Sequence, residues 1–336
     1  MKVSVVSPFF NEEKVIAKSV RLMVENLKKQ FDLNWELILV NDGSTDNSLS
    51  ELMAILKDMD ETRVRVISYL TNQGRGHALK AGIDEASGDL VVTTEVDCSW
   101  GHDIVKRLVS KLDANPGSHF VIASPHLRGG GLFNVSFSRR LLTKAVNLLI
   151  RLFFAFDVTM YTGMTRCYRR EVIQPLVAHC RGKDFHLEVL LKLLTLDFKH
   201  LEIPACITWP ESRKGKKKSS RRSSTRIGQT IINHLQFIAI AQPVSIFAIL
   251  SAVSFLTSAC FLAWAIWRLA KGDISIYLVL LSVSLSLFGL LFAASSVLFF
   301  QIREVMREHW MSYYPKPWPP ARIKYSVVNP DRKRIN

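Results

Sequence analysis

The sequence predicts an α/β protein in which a doubly wound, mostly parallel sheet is followed by a pair of membrane-spanning helices. Two observations support this fold class. Short apolar runs alternate with segments of helical period over the first 125 or so residues, which is the pattern of strands covered by helices on both faces. Two C-terminal stretches, 243–267 and 274–302, contain no charged residue. Each is long enough to cross a hydrocarbon core of about 30 Å.

The elements of the N-terminal region follow from these runs. Strands are indicated where β-branched and apolar residues cluster, at 3–9, 36–41, 64–69, 89–95 and 120–124. Helices are indicated where apolar residues recur on one face, at 12–30, 46–59, 74–87 and 103–114. Strands separated by helices at this spacing run parallel, and such sheets bind ligands beyond the carboxyl ends of their strands. The polar segments that follow the strands are therefore the predicted location of a site.

Two basic segments lie between this region and the apolar stretches. Residues 139–156 are strongly apolar with spaced Lys and Arg. A core helix and a helix lying at a membrane interface with its basic residues toward the headgroups both stay open as interpretations. Residues 213–226 contain eight Lys and Arg and no acid. Beside a membrane, such a run is attracted to anionic lipid and to phosphate groups held at the surface.

The two apolar stretches are joined only by RLAKGD (268–273), which predicts a tight hairpin with both ends on one side. Lys and Arg are concentrated before and after the hairpin, which places both of its ends and the N-terminal region in the cytoplasm. Membrane lipids are then partners, and a homo-oligomer stays open. The predicted division of the chain is an α/β domain at 1–225, a juxtamembrane amphipathic helix at 226–242, the two spans within 243–302, and a basic cytoplasmic tail at 303–336.

Charge and motif content exclude several classes of protein. The net charge of +15 indicates anionic partners, but the basic run lacks interleaved aromatic residues, which argues against nucleic acid. The five cysteines have neither CxxC nor CxxH spacing, so a zinc site or a disulfide framework is not expected. No GxGxxG turn follows the first strand, and no Walker or GxSxG sequence is present, which argues against a dehydrogenase, a P-loop NTPase and a serine hydrolase.

Four polar clusters fall at strand ends: PFFNEE (8–13), VNDGSTDNS (40–48), NQGRGHALKAGIDEASGD (72–89) and EVDCSW (95–100). Small residues every four positions in the third cluster predict a smooth helix face for close packing. In the fourth, strand periodicity makes Glu95 and Asp97 point the same way. Paired carboxylates without His or Cys suit Mg²⁺ or Mn²⁺, which also bind substrate phosphates. Each cluster alone is more often a turn than a site, but their common location favours a site.

Together these clusters resemble a known family. Residues 3–225 are similar to the inverting family-2 glycosyltransferases of GT-A fold, and among them to the membrane-anchored polyprenyl-phosphate (dolichol-phosphate) sugar synthases. PFFNEE matches the family's opening P-x-x-N-E-E, ELILVNDGSTDNS matches V-D-D-G-S-x-D-x-S/T, and NQGRGHALKAGIDEASGD matches N-x-G-x-x-x-A-x-x-x-G-x-x-x-A-x-G-D. TMYTGMTRCYRREV and EIPACITWPESRKG resemble two later motifs of the family.

The resemblance implies a set of residues that bind a nucleotide sugar: Pro8, Phe10, Glu12, Asp42, Glu95, Val96, Asp97, Arg128, Arg213 and Lys218. Within this set, the first four would contact the nucleoside, and Arg213 and Lys218 would close over the diphosphate. Glu95 and Asp97 would hold Mg²⁺ or Mn²⁺. Asp97 and Arg139 would be catalytic, with Arg139 also on the acceptor side. Glu188 is a further acceptor-side candidate.

Three features depart from the family pattern. Glu95 stands where the family has the first Asp of Asp-x-Asp, which lengthens the reach by one methylene. The family's G-S-R after the fifth strand is replaced by ASPHL, and Arg128 is the substitute considered there. The last loop reads KGKKKSS, so the register of its phosphate contact differs.

The implied reaction is transfer of a sugar from a UDP- or GDP-linked donor to a polyprenyl or dolichyl phosphate, with inversion. That acceptor is already anionic, so no general base is needed. Two alternatives stay open. A family-2 enzyme with a hydroxyl acceptor, either polysaccharide or lipid, would need a base, and Asp157 is available for that role. A non-catalytic membrane scaffold would explain Glu95 as a lost metal ligand.

Overall fold

The computed structural model of the protein describes residues 1–32, 34–133, 158–182, 184–208 and 243–314. In chain order, the elements are β1 (Val3–Phe9), α1 (Ile16–Phe31), β2 (Trp35–Asn41), α2 (Ser48–Met59), β3 (Val64–Ser68), α3 (Arg75–Asp84), β4 (Leu90–Thr93), α4 (Ile104–Asp113), β5 (Phe120–Ser124), β6 (Gly131–Phe133), β7 (Arg166–Arg169), α5 (Arg170–Ile173), α6 (Phe185–Thr195), β8 (His200–Pro204), β9 (Cys206–Thr208), α7 (Pro243–Ala270) and α8 (Ile276–Met311). Each strand and helix predicted for the first 125 residues is confirmed, with ends that differ by four residues or fewer.

Seven strands form one sheet in the order β3-β2-β1-β4-β7-β5-β8. β1 pairs in parallel with both β2 and β4, and β5 pairs in parallel with β8. Every residue of β1, β2 and β4 is buried, which accounts for their continuous apolar sequence. The predicted, mostly parallel sheet is confirmed. It also contains one antiparallel strand, β7, inserted between β4 and β5.

Helix α3 packs directly on the parallel strands through its small residues. A Cβ added at Gly82 would overlap Val6 of β1 and lie 3.1 Å from the side chain of Val40 in β2. Ala78, one turn earlier, is fully buried. The close packing predicted from the four-residue spacing is confirmed at these positions, and it fixes the depth of α3 over the sheet.

A buried carboxylate, that of Glu36 in β2, ties the opposite end of the strands together. Oε1 of Glu36 accepts hydrogen bonds from Oγ of Ser4 at 2.5 Å and from the backbone N–H of Ser87 at 2.7 Å. Nζ of Lys2 and a guanidinium nitrogen of Arg65 lie 3.2 and 3.3 Å from Oε2. Burial raises the pKa of Glu36, but hydrogen bonds from Ser4, Ser87 and Lys2 outweigh it and lower the pKa to about 2.

The chain divides into two compact units, and helices α7 and α8 belong almost entirely to the second. Both are long and apolar enough to cross a membrane, with mean hydropathies of 2.2 and 2.4 over their most apolar windows. α8 begins two residues later than the predicted span at 274–302 and continues nine residues beyond it. The added turns carry charges at 303, 304, 307 and 308, so this part of the helix is amphiphilic rather than apolar.

Hydrogen bonds from small residues connect the two long helices. Oγ of Ser258 donates to the carbonyl of Ser282 at 2.7 Å, and Oγ of Ser251 donates to the carbonyl of Gly289 at 2.9 Å. Successive contact positions on each helix are seven residues apart, which matches the repeat of two helices wound closely around each other. A Cβ at Gly289 would lie 3.1 Å from the ring of Phe255. Small residues at the interface thus allow the close approach that stabilises helix pairs in lipid.

Several predictions fall outside the described residues. They concern the helix at 139–156, the polybasic run at 213–226, the juxtamembrane helix at 226–242 and most of the basic tail at 303–336.

We expect the Glu36→Gln variant to lose about 1–3 kcal/mol of stability near neutral pH, because Lys2 and Arg65 both lose the charge of Glu36 and Arg65 keeps only the exposed Glu85. The pKa of Glu36 is lower in the folded chain than its unfolded value of 4.5. Its stabilisation is therefore present above pH 4.5 and lost as pH falls toward 2. Thermal unfolding of the full chain in detergent, followed by tryptophan fluorescence, should show the difference between wild type and variant shrinking over that window.

Glu85→Gln, at an exposed carboxylate paired with Arg65, is the matched control and should shift stability by less than about 0.5 kcal/mol. A constant difference from pH 6 to pH 2.5 would contradict the assignment.

The register of the long helices predicts one cross-link. The Oγ atoms of Ser258 and Ser282 are 3.2 Å apart, so the pair Ser258→Cys and Ser282→Cys in a Cys260→Ala background should oxidise to an intramolecular disulfide. Peptide mapping by mass spectrometry identifies the linked peptides. Ala259→Cys paired with Ser282→Cys is the control, because Ala259 is exposed on a different face of α7. Equal cross-linking of the two pairs would show that the helices do not adopt this register.

Candidate functional site

The candidate site lies at the carboxyl edge of the sheet, where β1 separates β2 from β4. The chain adds β2 and β3 on one side of β1 and then crosses to place β4 on the other side. This is a topological switch point, the position at which open α/β sheets bind ligands. The loops after β1, β2 and β4 all emerge at this edge because the three strands are parallel.

The loops after β1 and β2 are joined by side-chain hydrogen bonds. Asn11, which has a left-handed backbone conformation (φ 54°), accepts the backbone N–H of Thr45 at 2.8 Å through its side-chain oxygen. The backbone N–H of Glu12 donates to Oγ of Ser48 at 2.8 Å. Phe10 lies between these contacts and the end of β1, and 42% of its surface is exposed. An exposed aromatic ring on a rigid loop is a suitable surface for a nucleobase, as predicted for Phe10.

The other predicted nucleoside contacts differ in accessibility. Pro8 is buried in β1, where it pairs with Val40, and Glu12 is partly exposed. Asp42 is only 3% exposed. Oδ1 of Asp42 accepts the backbone N–H groups of Gln73 at 2.8 Å and Gly74 at 3.1 Å. The carboxylate therefore positions the loop before α3, and its contact with a nucleoside stays a prediction.

Glu95 and Asp97 lie beyond the end of β4 rather than within it. The strand ends at Thr93, and Val96 and Asp97 form a turn. The prediction that strand periodicity makes Glu95 and Asp97 point the same way was therefore wrong, because the chain leaves the sheet two residues before Glu95. The turn still brings both residues to the predicted edge. Val96 is buried, whereas Asp97 is partly exposed.

Glu95 is held by two hydrogen-bond donors. Its Oε2 accepts the indole Nε1–H of Trp100 at 2.6 Å and the hydroxyl of Thr165 at 3.0 Å. Burial raises the pKa of Glu95, the charge of Arg75 opposes that shift, and Asp97 adds to it. A carboxylate held this firmly is fixed in orientation, and among the described residues no hydrogen bond reaches Oε1.

Asp97 has more unused capacity to bind a ligand. Its Oδ1 accepts the backbone N–H of Ser99 at 3.1 Å, and no described residue donates to Oδ2. Mg²⁺ and Mn²⁺ are commonly held by one or two carboxylates, with water and substrate phosphates completing the shell. Asp97 Oδ2 and Glu95 Oε1 fit this role. In the parts of the chain that the structure describes, no group of three or more His, Cys, Asp or Glu side chains could hold an ion by itself.

Arg75, a residue that the sequence analysis did not single out, lies close to this pair. It begins α3, and its charge acts on both Glu95 and the buried ring of His186. The sequence GRG at 74–76 contains this arginine. The small residues there were interpreted as a packing surface, and that interpretation left Arg75 out. Thr165 and Trp100 were also missed, since nothing local shows that either side chain reaches Glu95.

The remaining predicted site residues are not brought to this edge by any described contact. Glu188, in α6, is buried and accepts the backbone N–H groups of His179 and Cys180 at 3.0 and 2.7 Å, and Nζ of Lys192 lies 2.7 Å from it. These contacts favour a structural role over acceptor binding. Arg128 is exposed in the loop after β5, a strand separated from β4 by β7. The four remaining residues named in the sequence analysis lie outside the described ranges: Arg139, Asp157, Arg213 and Lys218.

A family model described as glycosyl transferase family 2 matches residues 4–177, which includes every element of this edge. Two relatives are similar over a comparable part of the chain. The undecaprenyl-phosphate 4-deoxy-4-formamido-L-arabinose transferase of Pectobacterium carotovorum is 30% identical over 208 residues, which is 60% of this chain and 60% of the relative. The transferase of the same name from Salmonella choleraesuis is 33% identical over 197 residues, which is 57% of this chain and 56% of the relative. The chain thus spans less than two thirds of the length of these relatives.

Solved structures share the fold. Glucosyl-3-phosphoglycerate synthase from Mycobacterium tuberculosis, in complex with phosphoglyceric acid, superposes with a TM-score of 0.52 at 19% identity. The match covers 72% of this chain and 80% of that one. A mycobacterial protein gives a TM-score of 0.51 at 20% identity, with 70% and 74% coverage. The GT-A fold expected from the sequence is confirmed by these similarities.

The hydrogen bonds to Glu95 predict a specific stability effect. Thr165→Val keeps the shape of the side chain but removes a donor to a partly buried carboxylate, and we expect it to cost about 1–3 kcal/mol. Thr94→Val is the control, because the described hydrogen bond of the Thr94 side chain goes to the hydroxyl of Thr165, at 3.2 Å, and not to Glu95. Denaturant unfolding of both variants and of each combined with Glu95→Gln completes the comparison. The Thr165→Val cost should shrink when Glu95 is already Gln, and equal costs in both backgrounds would mean that the hydroxyl does not stabilise the carboxylate.

Proposed function

The chain belongs to glycosyl transferase family 2, and from that membership we propose that it transfers a sugar from a UDP- or GDP-linked donor to a polyprenyl phosphate, with inversion at the sugar's anomeric carbon. The observation that carries the proposal is the position of Glu95 and Asp97, two carboxylates at the switch point of the sheet, on the same edge as the exposed ring of Phe10. This edge offers an aromatic surface at Phe10 and a carboxylate at Asp97. A nucleobase would lie against the first and a diphosphate near the second.

Three observations favour a lipid phosphate as the acceptor. The names of the relatives describe transfer to undecaprenyl phosphate. The chain contains two helices of membrane-spanning length. Its net charge of +15, with a polybasic run before the first of these helices, suits an anionic acceptor at a membrane surface.

The proposed reaction needs no base from the protein. A phosphate monoester has a second pKa near 6, so its oxygen is already a nucleophile at neutral pH. This oxygen forms a bond to the anomeric carbon while the bond from that carbon to the nucleoside diphosphate breaks. The electron pair leaves with the diphosphate, and attack from the opposite face inverts the configuration. The protein must therefore orient the two substrates and stabilise charge on the leaving group.

The chain's own residues supply part of this substrate orientation and charge stabilisation. The short Trp100 and Thr165 hydrogen bonds fix the side chain of Glu95, and the turn at Val96 and Asp97 presents the second carboxylate. Mg²⁺ or Mn²⁺ bound there would neutralise charge on the leaving diphosphate. Arg139 and the basic residues Arg213 and Lys218 are proposed to contribute further positive charge.

We also propose that the α/β domain and both ends of the hairpin face the cytoplasm. The segment 268–273 that joins the two apolar stretches contains two basic residues, Arg268 and Lys271. The flanks of the hairpin carry the larger Lys and Arg excess, which is the arrangement of a cytoplasmic side.

The test is transfer by the purified full chain in nanodiscs that contain undecaprenyl phosphate, with a panel of labelled UDP- and GDP-sugars. We expect an acid-labile labelled lipid with one donor of the panel. Asp97→Asn should lower the rate by about 10²–10³-fold, since it removes a carboxylate that would hold the divalent ion on the leaving diphosphate. Asp103→Asn, at an exposed carboxylate six residues later, is the control and should retain activity.

Two results would reject the proposed acceptor. Labelled product on a glycan or on diacylglycerol, with none on undecaprenyl phosphate, would identify a hydroxyl-accepting enzyme. Absence of transfer from every donor, with nucleotide binding that is indifferent to Mn²⁺ and to Asp97→Asn, would identify a scaffold.

A further inference from the structure

The side chain of Arg75 is partly buried, and its guanidinium group has no described partner. Its Nε atom is shielded from solvent and has no hydrogen-bond acceptor, and among the described residues no hydrogen bond or ion pair reaches any of its nitrogens. Arginine has five N–H donors and stays charged at all relevant pH values. Shielding part of such a group from water without a partner is unfavourable, so proteins normally compensate it with an anion.

The groups that face Arg75 do not compensate it. Glu95 is near enough for the two charges to interact, but its Oε2 already accepts hydrogen bonds from Trp100 and Thr165. His186 is 1% exposed, and neither of its ring nitrogens has a described hydrogen-bond partner. Burial and then the charges of Arg75 and Arg166 hold the pKa of His186 well below its usual range, so the ring is neutral. A neutral ring and one committed carboxylate therefore surround the guanidinium.

The backbone on both sides of Arg75 is fixed by long-range contacts. Before it, the N–H of Gly74 donates to both carboxylate oxygens of Asp42 at 3.1 Å. After it, the N–H groups of Gly76 and His77 donate to the carbonyl of Arg181 at 2.6 and 3.2 Å. The N–H groups of Gly76 and His77 in the first turn of α3 are thus already used, which favours the arginine side chain over the helix end as the group that binds an anion here.

The two glycines permit this arrangement. Gly74 has a φ of 99°, and a Cβ at either Gly74 or Gly76 would overlap the backbone carbonyl of Arg181 or Cys180. The segment at 180–181 is itself held by Glu188, which accepts the N–H of Cys180. Asp42 and Glu188 therefore act from opposite sides to place one side chain beside Glu95. A partly buried cation positioned by two buried carboxylates that do not touch it is available to a ligand from outside the chain.

We propose that the guanidinium of Arg75 binds a phosphate group at the carboxyl edge of the sheet, beside Glu95 and Asp97. The proposal rests on the proposed function for the source of the phosphate, which is either the diphosphate of the donor nucleotide or the phosphate of the polyprenyl acceptor. The chemistry is the same for both, since the planar guanidinium offers two parallel N–H groups to two phosphate oxygens.

The test compares Arg75→Gln and Arg75→Lys with wild type, using the full chain in nanodiscs. Calorimetry with UDP, GDP, uridine, guanosine and pyrophosphate measures donor-side binding. Acceptor binding is measured by cross-linking the protein to labelled undecaprenyl phosphate as the content of this lipid in the nanodiscs is raised. Nanodiscs without the lipid give the background. We expect Arg75→Gln to weaken one of these phosphate ligands by about 10–100-fold and Arg75→Lys to weaken it less, while uridine and guanosine bind as before.

The control variant is Arg21→Gln, at an exposed arginine of α1 that pairs with Asp58, and it should bind every ligand normally. Thermal unfolding verifies that each variant is folded. If Arg75→Gln does not fold, the comparison of Arg75→Lys with wild type still tests the proposal. A loss confined to UDP, GDP and pyrophosphate identifies the donor diphosphate, and a loss confined to undecaprenyl phosphate identifies the acceptor. Unchanged affinities for all phosphate ligands in a folded variant would overturn the proposal.

These outcomes are separate from the fate of the proposed function. Binding is measured without turnover, so a chain that loses pyrophosphate affinity with Arg75→Gln but forms no glycolipid would retain the phosphate site and lose the proposed reaction. If the chain forms the glycolipid but Arg75→Gln binds phosphate ligands as wild type does, the proposed reaction is retained and the phosphate site at Arg75 is rejected.

Discussion

The carboxylate of Asp42 at the end of β2 is the contact on which the rest of this site depends. It is nearly inaccessible to solvent, and it accepts the backbone N–H groups of Gln73 and Gly74. These bonds join the end of one strand to the start of α3, two elements separated by α2 and β3 in the chain. Because α3 also packs on β1 and β2 through Gly82, its first turn has little freedom. The direction in which α3 presents its side chains is thereby set by one charge-assisted interaction and one close packing contact.

A second buried carboxylate, Glu188, performs the same task from the other side. It fixes the backbone at His179 and Cys180, and the next carbonyl accepts the N–H groups at the start of α3. Each carboxylate thus acts on backbone amides rather than on a ligand. Burying a charge is stabilising only when its hydrogen bonds are satisfied, and both residues meet that condition. The family resemblance assigned both residues to ligand contacts, and their observed partners give them a positioning role at the same edge.

The sequence predicted the parts of the fold that local pattern determines. The strands of the first 125 residues and the helices between them carry unbroken apolar runs or a helical period, and all are present. β7 was not predicted, because its four residues RCYR, although buried, contain two arginines and show no strand pattern. Arg166 is tolerated there because its nitrogens donate to the carbonyls of Tyr161 and His186. The end of β4 was predicted two residues too late, because Thr94 and Glu95 directly follow the β-branched residues of the strand and nothing local shows that pairing stops at Thr93. The environment of Arg75 was beyond reach, because Asp42, Glu95, Arg181 and His186 approach it only in three dimensions.

The small number of carboxylates at the edge has a consequence for how an ion would bind in the proposed function. Glu95 and Asp97 offer one unengaged oxygen each among the described residues, which is fewer than the six positions of an octahedral ion. Mg²⁺ or Mn²⁺ would take its remaining ligands from water and from the nucleotide's phosphates. The ion and the nucleotide then each raise the other's affinity by the same factor, since coupling between two binding events is reciprocal. A cation fixed nearby at Arg75 strengthens this dependence, because it repels a bare ion and attracts the phosphates that would carry the ion in. In the proposed function, the charges of these three side chains therefore favour binding of the nucleotide together with its ion over binding of the ion alone.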